Sequence, residues 1–130
     1  MKSIKTHFET LSANDIIPGM FIDGNLVLQH DHSHITFAFT DEKARDFPQL
    51  STISVIKAHR KKGLTVEIPE WEVGDTFIHE HGERWQIDSI NANIYFFEIS
   101  GRTNRVRKDI IEIEHHLREG IFWIERDSII

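Results

Sequence analysis

The chain uses one pattern twice. Pro18-Gly19-Met20-Phe21-Ile22 opens a segment that closes on His59-Arg60-Lys61-Lys62-Gly63 and a short apolar strand. Val73-Gly74-Asp75-Thr76-Phe77-Ile78 opens a second, which closes on His116-Leu117-Arg118-Glu119-Gly120 and another such strand. Between these ends Leu26-Val27-Leu28 falls opposite Trp85-Gln86-Ile87, and Ile35-Thr36-Phe37 opposite Ile94-Tyr95-Phe96, at an offset of about 55 to 59 residues. A repeat of this size is the mark of one supersecondary unit used twice. It constrains the architecture more than any single motif constrains the chemistry.

Local signals fill in each unit. Residues 1–17 read as a lead-in, 18–68 as the first unit, 69–72 as a short joint and 73–130 as the second unit. In the first, strands are expected at Met20 to Ile22, Asn25 to His30 and His34 to Thr40, with Asp23-Gly24 as a hairpin turn. Asp41 to Pro48 reads as a loop, because Pro48 bars a continuous strand. Ser51 or Thr52 then caps a helix whose spaced residues are Ile53, Ile56 and Arg60, ending at Gly63, followed by a strand at Leu64 to Ile68. In the second unit Thr76 to His79, Arg84 to Ile90 and Asn93 to Ile99 are strands. Asp109 to Glu119 sets Ile110, Ile113 and Leu117 at helical spacing between an N-capping Asp and a C-terminal Gly. Ile121 to Glu125 is the closing strand. Each unit is therefore β-β-β-helix-β, which makes the fold class α+β, mainly β.

Composition sets outer limits. The 130 residues suit one domain or two very small ones, with 39% apolar and 28% charged residues, as in an ordinary globular protein. No apolar run approaches a membrane span, and Met1 to His7 lack the apolar stretch of a secretory signal. There is no cysteine, so disulfides and thiolate metal sites are excluded and a cytoplasmic location is expected. The net charge of -6 is uneven: residues 1–65 hold 8 basic and 7 acidic side chains, residues 66–130 hold 7 and 14. That balance is not the strongly basic one of a dedicated nucleic-acid coat.

Val73-Gly74-Asp75-Thr76-Phe77, then Gly82-Glu83-Arg84-Trp85-Gln86-Ile87, then Asn93 to Ile99 and the helix Asp109 to Glu119 share a cadence with a known module. This half of the chain resembles the small C-terminal β-barrel of Mu-type and Tn7-type transposases. The first unit resembles it more loosely, through Pro18 to Gly24. The resemblance implies two tandem small SH3-like β-barrels. It also implies a non-catalytic role in contacting DNA or neighbouring subunits, since catalysis in that family lies in a separate acidic nuclease domain for which this chain has no room.

The residues that carry chemistry fit a binding protein better than an enzyme. There is no Gly-x-Ser-x-Gly, phosphate-binding glycine loop or His-Glu-x-x-His, so no catalytic residue and no cofactor is expected. The nine histidines are the alternative to weigh. His30, His32 and His34 would share one face of a single strand, but the repeat sets a turn inside this segment and splits them. His79 and His81 run into the hairpin turn read at Gly82-Glu83, and His115 and His116 are adjacent on a helix. Two basic clusters are more promising. Arg102, Asn104, Arg105, Arg107 and Lys108 read as an edge loop suited to phosphate and base-edge contacts. Lys57, Arg60, Lys61 and Lys62 end the first helix, where the helix macrodipole also favours cations. Phe21, Phe37, Phe39, Phe77, Trp85, Phe96 and Phe122 are expected in the core. Trp71, Tyr95 and Trp123 are left as candidate partner contacts.

The sequence therefore points to a non-enzymatic binding module of a mobile genetic element, acting on DNA or a DNA-handling, transposition-type complex. The alternatives are a small phage- or element-encoded inhibitor that binds a host protein through its acidic second half, and an enzyme with a histidine-bound metal. With His30 to His34 split by a turn, protein purified without a histidine tag is expected to hold no stoichiometric transition metal. Elemental analysis checks this, and about one zinc, nickel or iron per chain would overturn it.

Overall fold

A computed structural model describes residues 1–31, 33–38 and 49–125. The expected loop Asp41 to Pro48, Phe39 and His32 lie outside these. The fold is mainly β, with two helices and two antiparallel sheets, and divides into two units, Ser3–Pro69 and Met1–Lys2 with Glu70–Ile130. Neither helix is long and apolar enough to cross a membrane.

The first sheet contains β1 (Lys2–Thr6), β2 (Phe21–Ile22), β3 (Asn25–His30), β4 (His34–Ala38), β5 (Gln49–Ser51) and β6 (Val66–Glu70), in the order β1-β6-β2-β3-β4-β5. The β2–β3 turn is Asp23-Gly24, with φ of 52° and 79°, the left-handed pair that a two-residue hairpin needs. Helix α1 (Thr52–Lys62) follows β5 directly. The Ser51 hydroxyl accepts from the Ser54 N–H at its start, and Gly63 ends it in the left-handed conformation.

The face α1 buries differs from the expected one. Thr52, Val55 and His59 point inward, whereas Ile53 is 64% exposed and Arg60 lies in solvent. Packing against the first core selects this face, and the weak apolar pattern of the segment does not reveal it. Residues 1–17 do more than lead in. They supply β1, a 3-10 turn at Ala13–Asp15, and Leu11 and Ile16, both fully buried with Val27, Ile35 and Phe37. His30 ties this segment to α1: one ring nitrogen meets the Ile16 carbonyl at 2.9 Å and the other the Thr52 hydroxyl at 3.2 Å.

The second sheet contains β7 (Thr76–His79), β8 (Arg84–Asn91), β9 (Ile94–Ile99), β10 (Val106–Asp109) and β11 (Phe122–Ile124), in the order β10-β9-β8-β7-β11. Helix α2 (Ile110–Arg118) starts at a reciprocal capping box. Asp109 accepts from the Glu112 N–H at 2.8 Å, and the Glu112 carboxylate accepts from the Asp109 N–H at 3.4 Å. Strands β5 and β10, each just before a helix, extend the expected β-β-β-helix-β order by one strand per unit.

The aromatic core of the second unit centres on Phe77. Phe122 stacks on it at 5.2 Å, and Trp71 meets it edge-on at 4.8 Å. Trp71 is 4% exposed, which places it in this core rather than on a partner-contact surface, while Pro69 and Glu70 of the expected joint complete β6.

Register explains a further correction. Ile87 pairs with Phe97, after which β8 bulges between Ile87 and Ser89. Val27 pairs with Phe37, after which β3 bulges between Val27 and Gln29. Phe97 is fully buried while Phe96 is half-buried. An offset of one residue moves a side chain to the other face of a strand, so the core position expected at Phe96 falls on the less buried face. Phe21 is also only half-buried. Phe97→Ala is expected to cost about 3–5 kcal/mol in urea unfolding, and Phe96→Ala less than half of that. Equal destabilisation by the two substitutions would contradict this register.

Candidate nucleic-acid interface

The two basic clusters meet different environments. In the Arg102 cluster the charges are largely engaged. Arg102 grips Glu83 with two guanidinium nitrogens, at 2.9 and 3.1 Å. Arg105 meets Asp88 at 2.7 Å, and Lys108 lies 3.8 Å from Glu112 and 5.6 Å above the centre of the Trp85 ring. Asn104 and Arg107 are exposed. The expected edge loop extends only to Arg105, since Arg107 and Lys108 are residues of β10, paired with Phe96 and Tyr95. Each exposed ion pair is worth about 0–1 kcal/mol, but a bidentate clamp such as Arg102–Glu83 occupies the donor fork a phosphate would need.

The α1 cluster has no such neighbours. Lys57, Arg60, Lys61 and Lys62 are exposed on its last two turns, and none of them enters an ion pair among the described residues. Lys57 lies three and four residues from Arg60 and Lys61, so like charges crowd one side of the helix. The macrodipole offsets part of that repulsion, but it leaves the positive field directed outward.

Beside this helix end lies a cleft of about 390 Å³, lined by Lys5, His7, Phe8, His59 and Leu64 among others. His59 is 5% exposed, and its imidazole has no hydrogen-bond partner among the described residues. Nothing in the local pattern around Lys5, His7 and Phe8 points to a meeting with α1. Only the placement of β1 in the sheet brings them there.

The remaining candidates separate by burial. Tyr95 is half-buried, and burial, followed by the charges of Glu70 and Glu114, raises its phenol pKa. Trp123 is 52% exposed on edge strand β11, its indole N–H donating to the Gly120 carbonyl at 2.9 Å. Of the His30 to His34 group, His30 is engaged as described, His34 is exposed and His32 lies outside the described residues. Asp31, between them, accepts from the Ser33 and His34 N–H groups at 2.7 Å, and these bonds lower its pKa. No three His, Asp or Glu side chains converge on a possible metal position among the described residues.

A second histidine group surrounds Phe122. The His79 ring stacks on Trp85 at 5.4 Å, and His116 meets Phe122 edge-on at 5.0 Å. The His116 Nδ1 and the Trp85 indole nitrogen are both sealed from solvent without a partner among the described residues. Comparison with protein-family models, curated proteins and solved structures finds no match.

Burial lowers the His116 pKa, with Lys108, His115 and His79 acting in the same direction and Glu112 against it. Below the ordinary value of 6.5 the unfolded chain therefore binds the proton more readily than the folded one. The stability this residue contributes is complete above that value and falls as pH drops toward its folded value. Urea midpoints measured from about pH 8 to pH 5 are expected to fall less for His116→Asn than for the wild type. Identical slopes would contradict the burial of this imidazole.

Proposed function

We propose that this protein is a non-enzymatic binding module built from two SH3-like units, and that it contacts nucleic acid through the basic end of α1. Several features support the architectural part. The strand after each helix lies beside the strand that opens its hairpin, giving the orders β6-β2-β3-β4-β5 and β11-β7-β8-β9-β10. The Gly19 N–H donates to the Val27 carbonyl and the Gly74 N–H to that of Ile87, in each case just before the bulge. The resemblance of the second half to the barrel of Mu-type and Tn7-type transposases adds the setting of a mobile element, with a DNA-handling complex as the partner.

One observation carries the site. Lys57, Arg60, Lys61 and Lys62 have no acidic partner among the described residues, whereas Arg102, Arg105 and Lys108 each have one. Ordered phosphates draw most strongly on cations that need not first leave a carboxylate. The net charge of -6 opposes approach over the rest of the surface, so the affinity is weak unless a partner protein assists. Trp123, exposed on an edge strand in the acidic half, favours the second reading, a small inhibitor that docks on a basic host protein.

Anisotropy titrations with labelled duplex and single strands, from about 50 to 200 mM salt, test the proposal. Neutralising Lys57, Arg60, Lys61 and Lys62 is expected to weaken binding and flatten the duplex salt slope by about 0.9 for each phosphate that is no longer neutralised. Neutralising Arg102, Arg105 and Arg107 is expected to have the smaller effect. Wild-type protein that binds neither probe at the lowest salt would overturn the nucleic-acid reading in favour of the protein partner.

A further inference from the structure

We infer that the cleft beside α1 receives one unstacked base of a single-stranded nucleic acid, a specificity that rests on the nucleic-acid reading above. Phosphate contact alone needs an exposed cationic face and no cavity. Here a cleft of about 390 Å³ adjoins that face, within the range of small-ligand sites. Its lining joins the rings of His7, Phe8 and His59 to the apolar side chain of Leu64, surfaces on which a base stacks whatever its sequence. Lys5 contributes a charge at the cleft, and Arg60, Lys61 and Lys62 follow His59 in the same helix end, where they can hold the phosphates on either side of the inserted base.

Two electrostatic features select a base over a phosphate for the interior. The cleft adjoins the C-terminal end of α1, where the carbonyl dipoles are negative. They repel an anion and favour the amino groups on a base edge. The His59 imidazole, nine-tenths buried and without a hydrogen-bond partner among the described residues, has one nitrogen that can donate and one that can accept, so it can pair with either kind of edge group. A base within a duplex is already stacked and paired, and cannot enter without being extruded. The site therefore distinguishes single strands from duplexes through the base and not through charge.

Three probes of equal length separate these contributions at matched salt: a single strand, the same strand with abasic nucleotides, and a duplex. We expect the wild-type protein to bind the intact strand about tenfold more tightly than the abasic one. The His7→Ala, His59→Ala double variant is expected to remove that advantage while leaving abasic-strand binding unchanged. The wild-type comparison needs no substitution, so it stands even if replacing the buried His59 disturbs folding. Equal, salt-dependent binding of intact and abasic strands would overturn the base-binding inference and leave the charge-based reading in place. A duplex bound more tightly than the single strand would do the same. Failure of all three probes to bind would remove both.

Discussion

The return of the strand after each helix onto the strand that opens its unit is the pairing on which the remaining structure depends. In the first unit Ile22 pairs with Val66, and in the second Phe77 pairs with Ile124. Both pairings join residues far apart in sequence, so loop-closure entropy has to be overcome before either contributes. The gain is a sheet with a helix held against it. In the second unit it brings Phe122 into parallel stacking on Phe77, around which Trp71, Trp85 and Phe97 complete the apolar core. Without it each unit would be a four-stranded meander that lacks the strand closing its core edge.

That same return positions the candidate interface. β6 lies between β1 and β2, which brings Lys5, His7 and Phe8 beside the end of α1. The cleft thus depends on a strand from the first few residues and a helix some fifty positions later. Its cations are exposed, and this end of the first unit carries no carboxylate within ion-pair distance of them among the described residues. The Arg102 group has the opposite surroundings: Glu83, Asp88 and Glu112 all lie within reach. Two runs of similar composition therefore differ in what they can bind, because a cation's availability depends on its neighbours in space.

The histidines show the same dependence. His30, His59 and His116 are all drawn into packed surroundings, yet only His30 has both nitrogens engaged. His59 faces a cleft, and His116 holds a sealed, unpartnered nitrogen against an aromatic cluster. Spacing along the chain gives no indication of these three outcomes, because each follows from which element packs opposite.

Local signals determined much of the architecture. Asp23-Gly24 specifies its turn through positive φ, Asp109 and Glu112 specify the start of α2, and Gly63 and Gly120 lie at left-handed φ just beyond the helices. These are interactions within a few residues, so sequence alone expresses them. The mainly β class and most strand positions follow from the same kind of information. Tertiary structure decided the burial of Phe97 over Phe96, the phase that turns His59 inward and Ile53 outward, and the burial of Trp71. It also recruited β1 into the first sheet and paired Arg102 with Glu83 and Arg105 with Asp88. In each case the sequence admits two faces or two partners of nearly equal local merit. The choice between them is made by burial and pairing with residues that are remote along the chain.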